Sequence, residues 1–221
     1  EDALRGLSVL RENNINTQLI MTLYNDNVGE IERLLDLASK MKVSSIKINP
    51  IMPTGRGKKL FENCENIEFS DLIKIDRWIE EDLVSKYDLD IHFDIPIGLK
   101  SLKRIKSRQL FECNILNIIG VLSDGTISIC GIGQTEAALN MGNIAVDDLR
   151  EIWANSPILR RLRKDIPRNL EGICGRCIFK FRCRGACRAC AYSMTGDFKS
   201  PFFVCEKAHE KGLFLESRMI N

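Results

Sequence analysis

The spacing of seven cysteines in the second half of the chain constrains it more than any other feature. Cys113 is followed by eleven residues, then Gly125, then four residues, then Cys130. After a long gap come Cys174, Cys177, Cys183 and Cys187, separated by two, five and three residues, and finally Cys205. Thiolates that recur this densely among arginines are usually there to hold metal. They outnumber the ligands of one tetrahedral ion, so at least two metal sites are expected. The competing reading is a secreted disulfide framework. Two facts count against it: nine cysteines is an odd number, and Cys64 is the only one in the first 112 residues. Those residues read as an ordinary cytosolic α/β protein that needs no staples. Reduced, metal-loaded thiolates imply a cytoplasmic location.

Length and charge leave the fold open but narrow the partners. The 221 residues, 44% of them hydrophobic, suffice for one large domain or two small ones. A formal net charge of +2 is too near neutral to argue for nucleic acid or a membrane surface. No apolar run approaches the ~18 residues of a membrane span. The N-terminus shows no signal-peptide pattern and reads like a chain cut into the middle of a helix.

The two halves follow different grammars. In residues 1–100, Ala3, Leu4, Leu7, Val9 and Leu10 form a helical stripe, and an apolar β-prone run follows from Thr17 to Tyr24. Asn25-Asp26-Asn27 ends that strand and offers caps to a helix from Val28 to Met41, with Ile31, Leu34, Leu35 and Ala38 on one face. A strand from Ser44 to Asn49, a Pro/Gly-rich loop from Pro50 to Gly57, a helix from Asp71 to Val84 and a strand from Leu89 to Ile95 complete an alternation that predicts a parallel sheet with crossover helices. Ligands of such folds sit at the carboxyl ends of the strands. Asn49, the Pro53-Thr54-Gly55-Arg56 loop, and Asp94 with Pro96 occupy such positions, although a Pro/Gly loop can equally do no more than turn the chain. Beyond residue 100, Ser123-Asp124-Gly125 marks a hairpin between runs 115–122 and 126–130. A helical region from Asn143 to Leu162 is acidic early and basic late, matching the helix macrodipole. A closing helix is expected from Cys205 to Met219. This half has few long apolar runs, so metal would supply the cross-links its core lacks.

Iron–sulfur chemistry fits the thiols better than zinc. Cys174-x2-Cys177 alone suits either, but zinc ribbons pair two such knuckles, whereas here single cysteines follow after five and then three residues. From Arg160 to Arg188 there are ten Lys/Arg against only Asp165 and Glu171. Cations and backbone amides of this kind offset the negative charge of a thiolate-bound cluster. Phe179 and Phe181 are too few to make a base-stacking platform, so nucleic acid is not expected.

The cysteine series resembles the SPASM domain, the auxiliary-cluster extension of certain radical S-adenosylmethionine enzymes. The flanking text is similar too: Gly142-Asn143-Ile144, Leu149-Arg150-Glu151-Ile152-Trp153, Asn155-Ser156-Pro157, Cys187-Arg188-Ala189 and Thr195-Gly196-Asp197. The match covers roughly residues 107–221. Residues 1–100 look like the second half of the partial (βα)6 barrel of these enzymes. The implied architecture is α/β: half a barrel over 1–100, then a small α+β cysteine-rich SPASM domain over 101–221. The family's CxxxCxxC, which binds the cluster that cleaves S-adenosylmethionine, is absent, so the chain looks like the C-terminal part of such an enzyme and should not make the radical alone.

The resemblance also implies a ligand set. An outer auxiliary [4Fe–4S] cluster takes Cys174, Cys177, Cys183 and Cys205, and an inner one takes Cys113, Cys130 and Cys187. Ser107 stands where many relatives have a fourth inner ligand, leaving the inner cluster open or borrowing Cys64 or Cys190. Cys190 is a candidate ligand or simply a buried small residue. Asn49 and Arg56 are candidates for the S-adenosylmethionine or substrate side of the barrel. His92 and His209 read as structural or exposed and not as ligands, with the His209 ring within reach of a cluster sulfur. The implied function is modification of a peptide or protein, with thioether formation preferred because an open inner iron could position a substrate thiolate. S-adenosylmethionine and a third [4Fe–4S] cluster belong to the complete enzyme, with a flavodoxin or ferredoxin as electron donor. The alternatives are a non-catalytic zinc or iron–sulfur module that binds a partner, and an electron-transfer module.

Overall fold

The computed structural model describes residues 2–63, 65–107, 110 and 112–220. It divides into two compact units, residues 1–51 with 61–111, and residues 52–60 with 112–221.

The first unit is a parallel three-stranded sheet, β1 (Gln18–Leu23), β2 (Ser45–Pro50) and β3 (Asp90–Phe93), in that spatial order. The register sets Met21 beside Ile48 and Ile48 beside Phe93. In β2, Ile46, Lys47 and Ile48 are all buried, the signature of a central strand covered on both faces. On the edge strand β1, by contrast, Ile20 is 63% exposed. α1 (Asp2–Glu12) precedes the sheet and buries no residue. After β1, Asn27 accepts from the Tyr24 N–H at 2.9 Å and donates to the Thr22 carbonyl at 2.9 Å. These bonds shape a 3₁₀ turn over Asn25–Glu30, so α2 (Ile31–Lys40) begins later than the helical periodicity predicts. α2 seats Ile31, Leu35 and Ala38 in the core; Leu34 is only half-buried.

α3 (Gly57–Glu62) carries the boundary between the units at residues 60 and 61. α4 (Phe69–Trp78) continues through a π-helical stretch, Ile79–Leu83, into the single turn α5 (Val84–Lys86). After β3, Lys100 places its ammonium 2.5 Å from Asp76 of α4 and 2.7 Å from the Phe93 carbonyl. Ser101 then caps α6 (Leu102–Lys106) by accepting from the Arg104 N–H at 3.0 Å.

The second unit is built on a small antiparallel sheet, β4 (Gly120–Val121), β5 (Thr126–Ser128) and β6 (Asn140–Asn143). The turn from β4 to β5 needs its glycine: Gly125 has φ +84°, and a Cβ there would sit 2.9 Å from Asn143 Oδ1. Asp124 closes the turn by accepting from the Thr126 N–H at 2.9 Å. The segment expected to be helical from Asn143 to Leu162 is instead the end of β6 followed by two helices. α7 (Leu149–Asn155) is capped by Asp148, which accepts from the Arg150 and Glu151 N–H groups at 2.7 and 3.4 Å. Pro157 cannot donate into a continuing helix, and it starts α8 (Pro157–Asp165) as its first residue. α8 buries Leu159 and Leu162. The short helices α9 (Gly172–Arg176), α10 (Lys180–Cys183), α11 (Arg188–Thr195) and α12 (Phe203–Glu210) follow. The closing helix is shorter than expected, because Gly212 with φ +68° ends it and only a 3₁₀ turn remains at Glu216–Arg218.

Candidate metal centre

Short elements of the second unit deliver the thiols. Cys130 ends the hairpin, Cys174 lies in α9, Cys177 follows it, Cys183 closes α10, Cys187 caps α11 and Cys205 lies in α12. Each of eight described cysteines is free: Cys113, Cys130, Cys174, Cys177, Cys183, Cys187, Cys190 and Cys205. Cys64 lies outside the described residues.

The thiols act on one another in two groups. The Cys205 thiol hydrogen-bonds Cys174 and, aided by the Phe202 N–H, holds Cys174 down at about 7. The same bond, together with full burial, pushes Cys205 well up. Burial drives Cys183 up to about 12, and the charges of Cys174 and Cys177 add to the push. Cys187 is driven to about 11 by burial, with Cys113 and Cys130 as its neighbouring thiolates. Cys174, Cys177, Cys183 and Cys205 thus act on one another, whereas Cys187 feels Cys113 and Cys130 and in turn acts on Cys190.

Backbone amides point at these sulfurs. The Phe202 N–H donates to Cys174 at 3.3 Å, the Phe179 N–H to Cys177 at 3.4 Å and the Cys190 N–H to Cys187 at 3.4 Å. The Ile132 and Ala186 amides serve Cys130 and Cys183 in the same way. Such bonds favour a thiolate over a thiol and stabilise negative charge on bound sulfur. Among the described residues no three His, Cys, Asp or Glu side chains converge tightly enough to hold a single metal ion. An iron–sulfur cubane spreads its four thiolates over its corners and asks for a wider set. Seven free thiols, amide donors on their sulfurs and a buried arginine beside them fit that kind of group.

Of the other sequence candidates, Cys190 stays beside Cys187, whose charge adds to the burial that pushes the Cys190 thiol up to about 12. Cys190 is fully buried, and its thiol lies 4.0 Å from Met194 Sδ, one helical turn along α11. Ser107 belongs to the first unit, where its hydroxyl donates to the Arg104 carbonyl at 2.8 Å. Asn49 lies one residue before the end of β2 with its side-chain oxygen buried and unpartnered, whereas Arg56 is exposed and belongs to the second unit. Asp94 pairs with Lys47 at 3.0 Å. His209 stands 3.3 Å from an Arg176 nitrogen. His92 has a buried Nδ1 without a partner, and burial pushes its pKa down. A cavity of about 390 Å³ includes His92 and Arg104 in its lining, together with Ser44 and Asp90 at the amino ends of β2 and β3. That is the end of a parallel sheet opposite the one where ligands bind.

In the sequence Arg188 stands only within the Cys187-Arg188-Ala189 run and as one of ten cations, with no role of its own. In the structure its side chain is fully buried beside the thiols.

Residues 113–178 match the model of the SPASM iron–sulfur cluster-binding domain. This stretch of the chain is similar to a SPASM domain. The match includes Cys113, Cys130, Cys174 and Cys177, while Cys183, Cys187 and Cys205 lie beyond it. The chain is 28% identical over 214 residues to an AdoMet-dependent heme synthase of Methanosarcina barkeri, covering 90% of this chain and 58% of that protein. It is 23% identical to the AdoMet-dependent heme synthase of Nitratidesulfovibrio vulgaris, covering 93% and 58%. The chain thus spans little more than half the length of these relatives. Among solved structures it is similar to Streptococcus suis SuiB. The form bound to S-adenosylmethionine gives a TM-score of 0.61 and the form bound to the precursor peptide SuiA gives 0.65. Each is 13% identical, with 92% of this chain and 48% of SuiB covered. The α/β fold is therefore shared with SuiB over 92% of the chain.

Proposed function

We propose that the chain is the C-terminal part of a radical S-adenosylmethionine enzyme, with half of its barrel over residues 1–100 and a SPASM domain over 101–221 that holds two auxiliary [4Fe–4S] clusters. The observation that supports this reading is the way the thiols act on one another, Cys174 with Cys177, Cys183 and Cys205, and Cys187 with Cys113, Cys130 and Cys190. Cys174, Cys177, Cys183 and Cys205 would complete one cluster, and Cys113, Cys130 and Cys187 would hold another with a position to spare. When bound, these groups would accept an electron from a substrate radical and, at the open position, take a substrate thiolate. The protein's share is to bury the thiols, aim amides at their sulfurs and keep water away. S-adenosylmethionine and a third cluster would act in the complete enzyme, with a flavodoxin or ferredoxin donor, in the cytoplasm. No helix among the described residues is long and apolar enough to cross a membrane.

The substrate we favour is a peptide or protein, modified by a thioether or related crosslink; the fold shared with peptide-bound SuiB supports it. A tetrapyrrole is the second reading, supported by the higher identity to heme synthases. Iron, acid-labile sulfide and zinc per chain, measured on anaerobically purified protein, test the cluster assignment. About eight iron and eight sulfide are expected for two cubanes; two zinc without sulfide would overturn it and leave a partner-binding module. Titration of the loaded chain with a porphyrin then separates the substrates, since saturable perturbation of the porphyrin absorption band would favour the tetrapyrrole.

A further inference from the structure

Arg188 is a fully buried guanidinium with no carboxylate in an ion pair with it among the described residues. Carbonyl groups hold it instead. Nη1 donates to Phe198 and Ser200, each at 2.7 Å, and Nη2 donates to Gly185. Nε is buried with no partner. A buried cation left unpaired is costly, so a site that keeps one has a use for its charge.

The surroundings indicate that use. Arg188 follows Cys187 of the three-thiol group, and its fork closes on Gly185, inside the three-residue link back to Cys183 of the four-thiol group. Thiolates of both groups, Cys174, Cys183 and Cys205 on one side and Cys187 on the other, act on its charge. The chain also bends to make room for it. Gly185 has φ +76°, and a Cβ there would lie 2.6 Å from the Arg188 Cζ.

We infer that Arg188 is the shared counter-cation of the two thiol groups: one buried guanidinium, held by three carbonyls between them, that favours the more negative state of whatever cluster each group holds. This rests on the cluster assignment proposed above. Arg188 is a positioning residue in this role, acting by charge and never by ligation. With two clusters that each cycle by one electron, removing the cation makes both harder to reduce.

The test compares the full chain, reconstituted anaerobically with iron and sulfide, as wild type, Arg188→Gln, Arg188→Lys and the surface control Arg150→Gln. Iron, sulfide and far-UV circular dichroism are recorded first, and EPR-monitored redox titration follows. In Arg188→Gln the reduced-to-oxidised ratio of both couples at fixed potential should fall about tenfold, which is about 59 mV for one electron. Arg188→Lys should restore most of it, and Arg150→Gln should leave both couples in place. Unmoved couples, or movement of only one, overturn the inference. If Arg188→Gln will not load iron, loading by Arg188→Lys supports the charge role, whereas failure of both with helical content intact overturns it. A wild-type chain that takes up no iron and sulfide overturns the cluster assignment itself and this inference with it.

Discussion

The buried pair of Lys100 and Asp76 permits a prediction whose sign changes with the residue removed. Their side chains are 5% and 8% exposed, and their charged atoms stand 2.5 Å apart. Burial pushes the Asp76 carboxyl above its ordinary range and the Lys100 ammonium below its own, while each partner's charge pulls the other back. Removing one partner strands the other. The penalty has a ceiling, because a stranded group can shed its charge at about 1.36 kcal/mol for each pH unit between its ordinary pKa and the working pH. Lys100→Met strands Asp76, whose ordinary value is 3.8. The ceiling is then about 4.4 kcal/mol at pH 7 and about 1.6 kcal/mol at pH 5. Asp76→Leu strands Lys100, whose ordinary value is 10.5. Its ceiling is about 4.8 kcal/mol at pH 7 and about 2.0 kcal/mol at pH 9.

The pH trends oppose each other. A carboxyl whose folded-state pKa is raised binds more protons folded than unfolded, so the deficit of Lys100→Met shrinks as pH falls from 7 to 5. An amine whose folded-state pKa is lowered binds fewer, so the deficit of Asp76→Leu shrinks as pH rises from 7 to 9. The double variant strands no charge. It costs only the donor lost by the Phe93 carbonyl, about 1 kcal/mol. Urea unfolding followed through Trp78, the last residue of α4, measures all three in a Trp153→Phe background that silences the second unit. Single-variant costs that add up in the double, or deficits that move the same way with pH, would refute the reasoning.

Three further outcomes follow from the second unit. Cys174→Ser and Cys130→Ser should each lower iron by about four per chain, leaving the other group's cluster in place; complete loss of iron in both would merge the two groups into one. Stripping metal with a chelator under reducing conditions should abolish amide-exchange protection in residues 112–220 while β1 to β3 keep theirs, and equal loss in both units would contradict metal as the second unit's missing core. Asp148→Ala should cost about 1 kcal/mol through the lost cap of α7, read from the thermal transition seen by Trp153, and no change would mean the cap bonds carry nothing.

The strands and α2 were legible because their signals are local: alternation in Gln18–Leu23, a buried triplet at Ile46–Ile48, and Ile31, Leu35 and Ala38 on one helical face. The thiol spacing pointed to at least two metal sites, and how the seven cysteines divide between them stays a proposal. Boundaries set by a single residue were harder to read. Charge drifting from acidic to basic over 143–162 suggested a helical region without its break, but Pro157 divides the stretch, and Gly212 shortens α12. Arg56 was read with the barrel, yet residues 52–60 cluster with the second unit, a grouping decided by contacts distant in sequence. Nor could a run of ten cations reveal which one is buried, since the carbonyls that hold Arg188 come from residues 185, 198 and 200.

The link from Cys183 to Cys187 has a consequence for chain length. Surface loops tolerate insertion because closing a longer loop costs little more entropy. Here Arg184, Gly185 and Ala186 all adopt left-handed conformations, with φ of 55°, 76° and 56°. Each of the two non-glycine residues pays about 1 kcal/mol or more for that. A fourth residue would relieve the crowding, but it would withdraw the Gly185 carbonyl from Arg188 and let one end of α10 drift from the start of α11. Side chains along this segment can change more freely than its number of residues, so it acts as a spacer of fixed length.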